Sequence, residues 1–151
     1  MKKIIVLVTM ISTLLWITGC NNSQTMNHLD IEKASQALDE KYTNMAVLDD
    51  NQLQVIYGLD TSLMKEYQIK SSTLANGNFY ALICVEEKNK KQVQEQMNKM
   101  LKTMEEQSNL YSKEAVNLIQ NRLETSIGDY LIYIVSEDNN SMYEILKGYV
   151  D

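Results

Sequence analysis

Four carboxylates stand in two matched pairs, Glu86-Glu87 and Glu137-Asp138, at corresponding ends of two apolar stretches. Brought side by side, two such pairs could hold a cation or divide the roles of general acid and general base. They lack the Asp-x-Asp spacing of a calcium loop, and acidic residues ahead of a helix also complement the positive end of its dipole. The expectation is therefore no metal, no cofactor and no assigned catalytic residue, with these four as the only metal candidates. Cys84 lies between Ile83 and Val85, apolar neighbours that raise a thiol pKa and shelter it, so it is expected to be buried and structural. His28, the single histidine, falls in the polar run NNSQTMNHL and is expected to be solvated. Ser-His-Asp and Cys-His chemistry thus lacks a positioned histidine. There is no Cys-x-x-Cys, no His-Glu-x-x-His and no glycine-rich phosphate loop. Nine tyrosines against one phenylalanine supply rings with polar tips, suited to strands and to partner recognition alike.

The remaining cysteine, Cys20, closes a different pattern. Lys2 and Lys3 form a positive start, Ile4 to Ile17 an apolar core too short for a spanning helix, and Ile17-Thr18-Gly19 a small-residue approach to Cys20. The stretch resembles the lipobox of bacterial lipoproteins, with Gly19 and Cys20 matching and Ile17 and Thr18 as conservative departures. That resemblance implies cleavage before Cys20 and a diacylglycerol thioether on it. The expected organisation is a lipoprotein signal peptide over 1–19, a polar tether over 20–29 and one α+β domain over 30–151. No internal disulfide is expected, because lipid consumes Cys20 and leaves Cys84 alone. The chain has a formal charge of −6, and losing Lys2 and Lys3 makes the remainder more acidic still. Such a domain is repelled by an anionic bilayer and by nucleic acid, so the lipid must do the anchoring. The lack of proline beside many Lys, Asn, Ile and Met resembles Gram-positive, AT-rich coding.

Periodicity supplies the elements that must position these residues. Ile31, Ala34, Leu38 and Tyr42 recur at helical spacing after Asp30, a plausible cap. Asp49 with Gln52 has capping-box spacing and opens a second, shorter helix that Gly58 ends. Tyr67–Leu74 and Phe79–Val85 have strand character, turned at Asn76-Gly77. A long helix over Lys88–Gln107 carries the stripe Val93, Met97, Met100, Leu101 and Met104. Ser112 caps a short helix, Arg122–Ile127 and Tyr130–Ser136 form a second hairpin through Gly128-Asp129, and a last helix opens with the capping box Ser141–Glu144.

Gly77-Asn78-Phe79 and Gly128-Asp129-Tyr130 begin similar stretches, each an apolar strand closing on acids before a helix. The chain is thus expected to be N-terminal helices followed by two ββα units, making a four-stranded, mainly antiparallel sheet. Strands apolar on both faces require helices on both faces.

From about Ile31 to Val150 this pattern resembles the Gram-positive lipoprotein family described as domain of unknown function 4358. The features that carry it are the lipobox, Tyr57-Gly58-Leu59-Asp60, Gly128-Asp129-Tyr130 and the apolar strand closing at Ser136-Glu137-Asp138. Members tend to open the second strand with an acidic residue, where this chain has Asn76-Gly77-Asn78. The resemblance implies a surface lipoprotein and brings no catalytic residues. The expected function is a non-enzymatic binding or accessory module, lipid-anchored on the outer face of the cytoplasmic membrane, with an envelope protein or extracellular ligand as partner. The alternatives are a carboxylate-dependent envelope enzyme and a small solute-binding lipoprotein.

Overall fold

The computed structural model describes residues 27–151. The expected signal peptide, Cys20 and the first part of the tether lie outside the described residues. Nine principal elements follow in order: α1 (Ile31–Asp39), β1 (Met45–Val47), β2 (Met64–Ser72), β3 (Phe79–Val85), α2 (Glu87–Ser108), α3 (Lys113–Gln120), β4 (Leu123–Ile127), β5 (Tyr130–Val135) and α4 (Asn139–Lys147). The strands form one antiparallel sheet in the order β1-β2-β3-β5-β4. Among the described residues no helix is long and apolar enough to cross a membrane.

The two central strands dictate the layering. In β3, Phe79, Ala81, Ile83 and Val85 face one side, where Val93, Met97, Met100 and Leu101 of α2 and Ile119 of α3 cover them. Tyr80 and Leu82 face the other, against Ile31, Ala34 and Leu38 of α1 and Leu146 of α4. Apolar residues at successive positions cannot leave either face to water, so helices close both. The methionine stripe of α2 is core.

The sheet has five strands rather than the expected four. The added strand is Met45–Val47, which pairs with β2, Met45 opposite Ser72 and Val47 opposite Lys70. Three residues are too few to show a period of two, and the pairing partner is distant in sequence. Positive φ at Asn44 turns the chain into this strand, and the Thr73 N–H donates to the Asn44 carbonyl at 2.8 Å. The second N-terminal helix is a single wide turn, π-helical over Gln52–Ile56. Its capping box is present, with the Asp49 N–H donating to Gln52 Oε1 at 3.0 Å and the Gln52 N–H to Asp49 Oδ1 at 2.8 Å. The turn stops because Gly58 takes φ +66 and the Leu59 N–H reaches back to the Leu53 carbonyl, a Schellman-type closure that buries both leucines.

Helix α4 starts earlier than expected. Asp138 caps it, accepting from the Ser141 N–H at 2.9 Å, while Glu144 pairs with Lys147 instead of reaching back to Ser141. Packing also begins before Asp30. Leu29 is fully buried and bridges to Val150, and His28 exchanges backbone hydrogen bonds with Asp151, so these two residues belong to the domain and not to a tether. Two hairpins followed by helices do occur, yet Phe79 and Tyr130, equivalent in the sequence repeat, face opposite sides of the sheet, and α2 and α4 cover opposite faces. The recurrence is one of element order, without superposable packing.

Candidate functional site

Antiparallel pairing separates the acidic pairs. Cys84 lies opposite Tyr130 and Phe79 opposite Val135, so Glu86-Glu87 leave β3 at one end of the sheet and Glu137-Asp138 leave β5 at the other. The separation is about a strand length, roughly 20 Å. Three of the four are engaged locally. Glu86 pairs with Lys88 at 2.7 Å, and the hydrogen bond from that ammonium holds its carboxyl below the usual range. Glu87 lies 3.7 Å from Lys90 in the first turn of α2, and Asp138 caps α4. Glu137 is exposed. Among the described residues no three His, Cys, Asp or Glu side chains gather as metal ligands would.

At the Glu86 end, the structure assembles residues that the sequence scattered. Tyr130 lies across from Cys84, and its hydroxyl is 2.8 Å from His28 Nδ1 with the two rings edge to face. His28 is exposed, as expected of a solvated residue, but it is held rather than loose in a tether: β5 and the C-terminal backbone place it. Burial, with the neighbouring Cys84 and Glu66, pushes the Tyr130 phenol up to about 12, and burial raises the Cys84 thiol. Cys84 is half-buried rather than buried as expected, because it sits at the end of β3 beside Tyr130; its thiol is still protonated at neutral pH and a poor nucleophile.

A second cluster ties α1 to the sheet. Tyr80 is fully buried; its hydroxyl donates to Asp39 Oδ1 at 2.8 Å and lies 2.8 Å from Ser35 Oγ. Lys70 Nζ of β2 meets the other Asp39 oxygen at 2.5 Å and sits 5.9 Å from the centre of the Tyr80 ring. Tyr42 stacks on Tyr80 at 5.8 Å and donates to the Val135 carbonyl. Burial raises the Tyr80 phenol far above its ordinary value and Tyr42 to about 12. Helical spacing puts Ser35 and Asp39 one turn apart on one face, but nothing local announces that Lys70 and Tyr80 will meet them. Among the described residues no buried side-chain polar atom lacks a hydrogen-bond partner, so this network is closed on itself.

Unused capacity lies at the surface. At the Glu137 end, a cavity of about 460 Å³ opens between the end of α3, the start of β4 and the start of α4, lined by Asn117, Asn121, Arg122, Glu137 and Asn140 among others. Its walls are fixed from behind. Asn139 accepts from the Ser136 N–H at 2.8 Å and donates to the Asn121 carbonyl at 2.8 Å, while Arg122 binds Glu124 through Nε and the Ile119 carbonyl through Nη1. Elsewhere, Val55 and Ile56 of the π-helical turn are 74% and 55% exposed, and Leu110 and Tyr111 between α2 and α3 are 86% and 62% exposed. Tyr111 adds to burial in raising the Tyr57 phenol, so the two hydroxyls lie within electrostatic reach of each other. Isolated exposed hydrophobics are ordinary; here each of the two segments exposes a consecutive pair of large ones, which a partner could cover.

A family model described as Domain of unknown function (DUF4358) matches residues 37–136. No curated protein and no solved structure matches the chain.

Proposed function

The chain belongs to the family of that domain of unknown function, and from this premise we propose that it is a membrane-anchored extracytoplasmic lipoprotein whose domain is a non-enzymatic binding or accessory module. Anchoring rests on Lys2-Lys3, the apolar Ile4–Ile17 and the approach through Gly19 to Cys20, which carries the lipid on the outer face of a Gram-positive cytoplasmic membrane. The observation that carries the binding role is a division of labour. Polar groups in the interior, Ser35, Asp39, Lys70 and Tyr80, are spent on one another, while Val55, Ile56, Leu110 and Tyr111 are left at the surface. The alternative of a carboxylate-dependent enzyme draws no support from the acidic pairs, which lie at opposite ends of the sheet.

Cys20→Ser tests the anchor in cells: the protein should move from the membrane fraction to the medium or wall fraction, and retention on membranes would refute the lipid attachment. Photo-crosslinkers placed at Val55 and Tyr111 test the binding role. Each should yield a discrete adduct in intact cells, and the absence of any adduct beyond those from a site on the exposed face of α2, such as Lys102, would count against it.

A further inference from the structure

We propose that the cavity beside Arg122 binds an uncharged, polyhydroxylated glycan of the cell envelope. The inference deepens the binding-module reading and rests on it for the location.

Polarity comes first. The Arg122 charge is neutralised by Glu124 and Asp138 is spent on the α4 cap, so the walls offer no unpaired cation for a phosphate or carboxylate ligand. What they offer is a close mixture of donors and acceptors. Asn121 donates through Nδ2 to Asn117 O and Oδ1, and Asn121 Oδ1, the Asn117 amide nitrogen and Arg122 Nη2 take no partner among the described residues. Glu137 and Asn140 are exposed at the rim, likewise without one. A sugar hydroxyl both donates and accepts, and an array of amides, one guanidinium and one carboxylate satisfies it in both directions without requiring charge on the ligand. Leu118 and Leu123 add the apolar wall that the C–H face of a sugar ring needs.

Preorganisation and size agree with this ligand class. The Asn139 clasp fixes the start of α4 against the end of α3, so the site exists before the ligand arrives. The volume, about 460 Å³, falls within the span of roughly 300–1,000 Å³ common for small-ligand sites. Position then selects an envelope glycan. The chain enters the domain at Asn27 and His28, beside Gly128 and Tyr130, whereas the cavity lies beyond Val135 at the other end of β5. A lipid on Cys20 would therefore attach at the opposite end and leave this cavity unobstructed, and a domain held outside the membrane has the envelope glycans as its nearest polyhydroxylated ligands.

The test is co-sedimentation of the full-length chain, in detergent, with purified peptidoglycan sacculi, followed by competition with free N-acetylglucosamine oligomers or with the stem peptide alone. The chain should pellet, and sugar oligomers should displace it. Glu137→Ala/Asn140→Ala changes two exposed side chains that hold nothing in place; it should weaken pelleting about tenfold or more through loss of two ligand hydrogen bonds. Arg122→Ala, checked by circular dichroism, should do the same if folded. Absence of pelleting, wild-type pelleting by the double variant, or displacement by the peptide and not the sugar would each overturn the proposal. The anchor is judged separately: membrane retention of Cys20→Ser defeats the lipoprotein reading whatever the sacculi show, and failed pelleting beside a released Cys20→Ser defeats the glycan site alone.

Discussion

Replacing Tyr80 by Phe removes one oxygen from the centre of the α1–sheet junction and leaves the ring packed. The hydroxyl donates to a charged acceptor, Asp39, and shares a second hydrogen bond with Ser35. Bonds to charged groups contribute about 1.5–3 kcal/mol and neutral ones about 0.5–1.5 kcal/mol. Asp39 keeps Lys70 and its side chain is 37% exposed, so water replaces part of what it loses. Ser35 is 3% exposed and must fall back on a backbone carbonyl of its own helix. Both considerations place the loss toward the lower end, about 2 kcal/mol. With a urea slope of about 1.5 kcal/mol per molar, the unfolding midpoint should drop by about 1.3 M with the slope unchanged. A double-mutant cycle with Asp39→Ala should show about 1 kcal/mol of coupling, because the second change removes nothing that the first has not already broken at that bond. A loss below about 0.5 kcal/mol, or additive single effects, would refute the claim that this network fastens α1 to the sheet.

Three further outcomes follow from the same geometry. Folded Tyr42 and Tyr130 titrate at about 12, and Tyr80 and Tyr133 above their ordinary value, all through burial, so the folded state keeps protons that the unfolded chain releases from about pH 10. Stability should be complete below that pH and fall above it by about 1.4 kcal/mol per pH unit for each buried phenol; urea unfolding between pH 9 and 11.5 with absorbance at 295 nm reads both, and a flat profile would contradict the burial. Gly77 has φ +78 and an added Cβ would stand 2.9 Å from Ala115, whereas Gly58 has φ +66 and open space around it. Gly77→Ala should cost about 3 kcal/mol and Gly58→Ala about 1 kcal/mol, and equal losses in thermal unfolding would show that α3 does not press on the β2–β3 turn. In a Cys20→Ser chain, Cys84 should react with a thiol reagent at pH 8 at least about tenfold more slowly when native than in urea, and equal rates would show it unsheltered.

Legibility in the sequence tracked how local each cause was. The β3 strand shows from Phe79 to Val85 because every residue in it is apolar, and the same fact demands helices on both faces. Asp30 and Ser112 act as caps where their side chains meet amides three residues on, a relation contained in a few residues. Met45–Val47 is a strand only because Lys70–Ser72 offers it an edge, and that pairing leaves no trace within three residues. The turn after Asp49 keeps its capping box but closes after one wide turn, because Leu53 and Leu59 both have to enter the core around Gly58. Tyr80, Ser35, Asp39 and Lys70 come from three elements, and His28 reaches Tyr130 only through the Leu29–Val150 bridge. Local propensity carries no information about such meetings.

One tertiary feature then decides the functional geography. Had β3 and β5 run parallel, both acidic pairs would have left the sheet at the same end and a shared site would have been available to them. Running antiparallel, they give the domain two chemically different ends. One holds His28, Tyr130 and the half-buried Cys84 where the chain enters; the other holds Arg122, Glu137 and the asparagines. From Cys20 to Asn27 the chain spans at most about 25 Å, so a lipid on Cys20 confines the first end to the neighbourhood of the bilayer. Strand length adds about 20 Å before the second end is reached. The direction of β5 relative to β3 thus sets Arg122, Glu137 and the asparagines at the end of the domain away from the point where the chain enters it.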